Sequence, residues 1–264
     1  MIKRLFFILL FLVVLLVAVT IGINTYRNMP TTILKKVEEQ IASTKKTEFD
    51  SCGDWVWAKN RTFIFDVYFF NLFRAGIAKM HIAGETLFNE QKVIVIETTV
   101  EPQEFFKKIY DAQMMISAGV SKDSKESLWY RELTITPEKE KSKEIIFDPI
   151  KGIAMREGKQ YKVPSGVSDP LSVFFAFLSR EFIVGEEIVL KLLSKEEIYE
   201  FKAVPQEKVD NVYRLTGEVF REDKSSTHGA RFSMFIYNDK VRVPLVIKAS
   251  TGAGPVYLRL RTVE

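Results

Sequence analysis

From about Trp55 to the C-terminus, apolar residues recur at every second position in short runs, and this period constrains the fold more than any other feature of the chain. Val241, Val243, Leu245 and Ile247 share one side of an extended segment. Val256, Leu258 and Leu260 do the same, opposite Tyr257, Arg259 and Arg261. Successive side chains of a strand point to opposite faces, so one dry and one wet face is the pattern of an antiparallel sheet over a single core. Phe63, Phe65, Val67 and Phe69 alternate with Ile64, Asp66, Tyr68 and Phe70, which predicts a strand apolar on both faces. Segments 75–83 and 92–100 follow, parted by the turn-like Asn89-Glu90-Gln91. Turn residues recur at Asn71, Asp148-Pro149, Glu157-Gly158, Asp210-Asn211, Asn238-Asp239 and Gly252 to Gly254. Short strands punctuated in this way predict a mainly β domain, a large curved antiparallel sheet forming a half-barrel or barrel around one or two short helices.

Two segments break the alternation. Gln103 to Tyr110, after Pro102, reads as a short helix. The other is Asp169 to Arg180, DPLSVFFAFLSR. Asp169 suits an N-cap, Pro170 the first helical position, and Arg180 the negative end of the helix. Leu171, Val173, Phe174, Phe175, Phe177 and Leu178 cover more than half of its circumference and leave only Ser172, Ala176 and Ser179 on the remaining face. A helix this apolar has no side to offer water. It is expected inside the curved sheet, its small face near backbone or an opening.

With that helix, three further stretches resemble the bacterial family called domain of unknown function 3108, over roughly Trp55 to the C-terminus. They are the opening hairpin FDVYFFNLFRAGIAKMHI (Phe65 to Ile82), the strand NDKVRVPL (Asn238 to Leu245) and the closing Gly254 to Leu258. The resemblance implies an exported envelope protein with an architecture similar to the LolA and LolB lipoprotein carriers, in which a curved antiparallel sheet wraps apolar helices. It carries no catalytic motif over to any residue.

Ahead of the β region, Leu5 to Ile23 is uncharged over 19 residues. As a helix it would be about 28 Å long, close to a bilayer core of about 30 Å. Lys3 and Arg4 precede the run, which favours a cytoplasmic N-terminus and an exported remainder. The expected organisation is a membrane anchor over residues 1–26, an amphipathic helix and linker over 27–54, and an exported β domain over 55–264. The expected location is therefore the bacterial inner membrane, single-pass, with the C-terminal domain periplasmic or otherwise extracytoplasmic. Cleavage of the run as a signal peptide would instead release a secreted protein. Within the linker, Ile33, Leu34, Val37 and Ile41 stand at helical spacing.

The composition removes chemistries without supplying one. A single cysteine, Cys52, forms no internal disulfide and no thiolate zinc site, and two histidines make a poor metal centre. Cys52 lies too far beyond the apolar run to be a lipoprotein cysteine. There are 38 basic and 34 acidic residues, and without Lys3 and Arg4 the balance falls to about +2, with no basic stripe for nucleic acid. The run EKEKSKE (Glu138 to Glu144) reads as a solvated hairpin tip. His81, His228, Ser225 and Ser226 stand in no catalytic pattern, and pairs such as Glu186-Glu187 and Glu196-Glu197 read as surface. No metal, cofactor or enzymatic activity is expected.

What remains is apolar surface. Of 21 phenylalanines only Phe6, Phe7 and Phe11 belong to the anchor. The expectation is a non-enzymatic, membrane-anchored protein that holds a hydrophobic or lipid-like ligand, such as a lipoprotein acyl chain, between sheet and helix. Leu171, Phe174, Phe175, Phe177 and Leu178 are the candidate lining residues. The alternative is a structural or assembly protein that contacts another envelope protein and has no ligand cavity.

Overall fold

The computed structural model describes residues 61–108, 111–194, 196–223, 230–238, 242–251 and 254–264. The expected anchor, the amphipathic segment of the linker, Cys52, Ser225, Ser226 and His228 lie outside them. No helix among the described residues is long and apolar enough to cross a membrane.

Among the described residues, fifteen strands form one sheet. Its first half is a meander of β1 (Thr62–Phe69), β2 (Phe73–Phe88), β3 (Gln91–Pro102), β4 (Gln113–Ser121), β5 (Ser127–Ile135), β6 (Glu140–Asp148), β7 (Ile153–Arg156) and β8 (Lys159–Lys162). Its second half comprises β9 (Val167–Ser168), β10 (Ile188–Ser194), β11 (Glu197–Val209), β12 (Val212–Arg221), β13 (Ala230–Asn238), β14 (Arg242–Thr251) and β15 (Gly254–Val263). The halves join where β1 pairs with β15, so the first and last strands lie in the middle of the sheet and β8 and β9 at its edges. Thr62 and Glu264 exchange backbone hydrogen bonds of 2.7 and 2.9 Å. Every pairing is antiparallel except β9 with β10, which is parallel, a departure from the all-antiparallel expectation.

Register shifts at Ile64/Phe65, Val67/Tyr68, Ile82/Gly84, Gly119/Val120, Pro205/Glu207 and Phe235/Ile236 bend and twist the sheet. The curved sheet encloses one apolar core. Phe63, Phe65 and Val67 of β1 are buried with Val243, Leu245 and Ile247 of β14 and Val256, Leu258 and Leu260 of β15. The alternation read from the sequence is thus the inner face. β1 also buries Ile64 on its other face, as a central strand can. Outward-facing Asp66 binds Arg74 and Arg261.

Two helices interrupt the strands. α1 (Glu104–Lys107) is shorter than the segment expected from Gln103 onward. α2 (Pro170–Leu178) lies inside the curve and touches β10 in one half and β4 in the other. Its ends lie against the starts of β5 and β14, so it crosses the end of the curved sheet that carries Thr62 and Glu264, here the lower end. The upper end carries the β1–β2 turn, α1 and the β5–β6 and β10–β11 turns. The charged run expected at a hairpin tip is mostly strand: the tip is Thr136 to Lys139, and residues 140–144 belong to β6. There Glu144 and Lys143 pair across the ladder with Arg131 and Glu132.

Candidate functional site

The interior site is built on α2. Asp169 caps it: one carboxylate oxygen accepts from the backbone N–H of Leu171 and Ser172, each at 2.9 Å. The other accepts from the Ser127 hydroxyl at 2.7 Å and from the Ser172 hydroxyl. The Asp169 N–H donates to Ser127 Oγ at 3.0 Å, so the same serine ties helix to β5 twice. This hub is fully buried. Burial pushes the Asp169 carboxyl above its ordinary value, against the opposing pull of bonds from Ser172, Ser127 and Leu171.

At the other end, Arg180 stands where a terminal cation was expected, but the cation bonded to the helix is Arg242. Its Nη1 donates to the Leu178 carbonyl at 3.0 Å and its Nε to Asn238 Oδ1 at 3.0 Å. The guanidinium lies 4.4 Å above the ring of Phe182. A buried arginine at the negative end of a helix, stacked on an aromatic face, satisfies both helix carbonyl and charge.

Between these polar ends the helix meets the sheet through apolar contact. Eight of its nine residues are buried, Ala176 being the exception. Leu171, Phe174, Phe175 and Phe177 are 0% exposed and Leu178 1%. A side chain bordering a water-sized void would carry accessible surface on that side even without a path to bulk water. The five candidate lining residues therefore fill the interior in this conformation. Phe177 packs at 5.2 Å from Phe182 and 5.1 Å from Phe201, Phe201 stacks at 4.9 Å on Phe232, and Phe182 meets Tyr213 at 5.5 Å. This aromatic chain runs through the second half of the sheet; Phe174 and Phe175 form a separate edge-on pair.

A cavity of about 580 Å³ lies at the upper end, between β8 and the β10–β12 strand ends. Tyr161, Lys162, Glu196, Glu197, Arg221 and Asp223 are among its walls. Arg221 pairs with Glu197 and Asp223, which hold its guanidinium firmly protonated, and Glu196 faces Arg156 at 3.6 Å. Glu196 and Glu197 are thus wall residues bound to arginine rather than free surface. The pairs answer one another's charge and present no nucleophile beside a base. His81 of β2 sits 3.5 Å from Glu97 with no catalytic partner arranged around it. Among the described residues no His, Cys, Asp and Glu side chains gather to hold a metal ion.

Sequence reading placed the helix and its five apolar residues but missed its two fasteners. Ser127 and Arg242 lie 42 and 64 residues from their partners at the ends of α2; Ser127 stands in no motif, and Arg242, within the stretch NDKVRVPL, carried no role from it.

A single large curved sheet with a buried apolar helix inside the curve defines a mainly β protein. The chain belongs to the family described as protein of unknown function (DUF3108), whose model matches residues 64–261. It is also similar to a solved structure from Brucella abortus, a β-barrel-like protein of domain of unknown function DUF1849. That likeness has 11% identity and a TM-score of 0.47 and covers 77% of this chain and 96% of the other. No curated protein matches the chain.

Proposed function

We propose that this is a non-enzymatic protein of the bacterial envelope, tethered to the inner membrane by Leu5–Ile23, which takes up a lipid-like ligand in the space that α2 fills in the closed form. The observation that carries the reading is the placement of α2. A helix with eight of nine residues buried is fastened by directional bonds at its ends, at Asp169 and Arg242. Apolar contact between those ends is non-directional, and an acyl chain can replace it at comparable free energy per unit area. Leu171, Phe174, Phe175, Phe177 and Leu178 would then line the site once α2 moves aside, and a tether would keep it close to its cargo.

The filled interior favours a second reading, an assembly protein acting through its surface. All fifteen strands of the sheet lie between Thr62 and Val263, so the β domain can be tested without the leading segment. Protein starting at Trp55, purified without detergent, is expected to retain a lipid mass in native mass spectrometry or to take up an apolar fluorescent probe. Arg242→Met, which frees the end of α2, is expected to speed that uptake severalfold. Absence of lipid and of uptake in both proteins would overturn the carrier reading in favour of assembly.

A further inference from the structure

The upper end carries apolar residues that the interior site does not use. In and beside the β1–β2 turn, Phe70, Leu72 and Phe73 are 48%, 77% and 56% exposed, and Phe105 of α1 is 67% exposed. The two elements are neighbours, because the Gln103 N–H donates to the Ala75 carbonyl at 2.9 Å. The turn is closed by the Leu72 N–H, which donates to the Phe69 carbonyl at 3.2 Å. Phe70 and Asn71 have φ of 52° and 63°, a left-handed conformation that costs a phenylalanine free energy and persists only where its surroundings enforce it. Here the Phe70 ring covers Gly254, where an added Cβ would sit 2.4 Å from it, and meets Phe69 edge-on at 4.5 Å. Arg259 lies 4.8 Å above the ring of Tyr68 and donates to the Asn71 side chain. With Phe70 and Asn71 fixed, Leu72 and Phe73 project from the end of the curved sheet.

We infer that this tip docks onto the surface of a lipid bilayer, Leu72, Phe73 and Phe105 entering the boundary between headgroups and acyl chains. The apolar groups stand at the apex of convex turns, where each can enter lipid singly, whereas a protein partner needs a broad or concave face. Arg74 is paired with Asp66 and Lys107 with Glu104, so the tip carries little net charge and its apolar side chains are what would hold it to lipid. For the nearness of a membrane the inference rests on the proposed tether. Residues 27–54, between the anchor and the β domain, are long enough, at up to ~3.4 Å per extended residue, to let the upper end reach the same bilayer.

The test uses the full chain with Cys52→Ser, reconstituted with vesicles of phosphatidylcholine and phosphatidylglycerol that contain spin-labelled lipid. An environment-sensitive fluorophore is placed at Leu72→Cys, or at Ile150→Cys, which is 90% exposed at the lower end. Severalfold stronger quenching at position 72 is expected, falling to the level at position 150 when Phe73→Ser and Phe105→Ser are added. Equal or weaker quenching at 72 on vesicle-bound protein overturns the docking and leaves the tether standing. A chain that stays off the vesicles overturns both. A tip shielded only after other proteins are added assigns the surface to a protein partner and overturns the lipid assignment. Apolar-probe uptake by protein lacking the leading segment is read without a membrane, so the two proposals fail separately.

Discussion

Phe177 has no exposed surface and aromatic neighbours on two sides, Phe182 and Phe201, both near 5 Å. Truncating such a ring loses its transfer free energy and leaves a void that close-packed neighbours only partly fill. Phe177→Ala is expected to lower unfolding free energy by about 4 kcal/mol, read from the shift of the urea midpoint at unchanged slope. Leu72→Ser, on an exposed tip, is expected to leave that midpoint within about 0.5 kcal/mol of the parent. The contrast separates two sets of apolar residues that look alike in the sequence. Those of α2 hold the interior together, whereas those of the β1–β2 turn face solvent.

For α2 as an element, the cap decides its pH response. Burial raises the native Asp169 carboxyl above the unfolded value of 3.8, so the folded state binds a proton more readily than the unfolded state. The group therefore adds stability as pH falls from above its native pKa to about 3.8, and this gain is lost as pH rises back through the native pKa. Asp169→Asn keeps an acceptor for the helix N–H groups and has no charge to bury. Its melting temperature relative to the parent is expected to be highest at neutral pH and to fall toward pH 4 in thermal scans. A constant difference would show that the carboxylate carries no burial penalty. The start and the burial of α2 were legible from cap, proline and apolar coverage, whereas the expected segment ran to Arg180 and the helix ends at Leu178. Its fastening was not legible, because Ser127 and Arg242 act across sequence distance and their identity alone gives no sign of it. Period two marked β14 and β15, although β14 buries Pro244 and Val246 as well as Val243, Leu245 and Ile247. The short strands β7, β8 and β9, at or next to the sheet edges, offer two to four residues each, too few to establish a period. Glu197 read as a surface charge, and only the pairing of β11 with β12 brings Arg221 to it.

At the scale of the whole molecule, the order of strands makes the two ends of the chain interdependent. β1 and β15 share the central ladder, while the sheet edges fall at β8 and β9, on either side of the exposed residues Pro164, Ser165 and Gly166. A permuted protein that joins Glu264 to Thr62 through a short linker and opens at Ser165 keeps every strand pairing. It is expected to melt cooperatively, as followed by circular dichroism. Ending the chain at Thr251 deletes one short element by length, but it strips β1 and β14 of their shared partner. That truncation is expected to give no cooperative transition. A shortened chain with a sharp melt would show that each half folds alone.

The bond between Thr62 and Glu264 also bears on the order of folding. Contacts between residues far apart in sequence form late, since the intervening loop must be closed before they contribute. The meander from β1 to β8 can therefore form before the central seam is sealed, and β15 acts as the latch that joins the two halves.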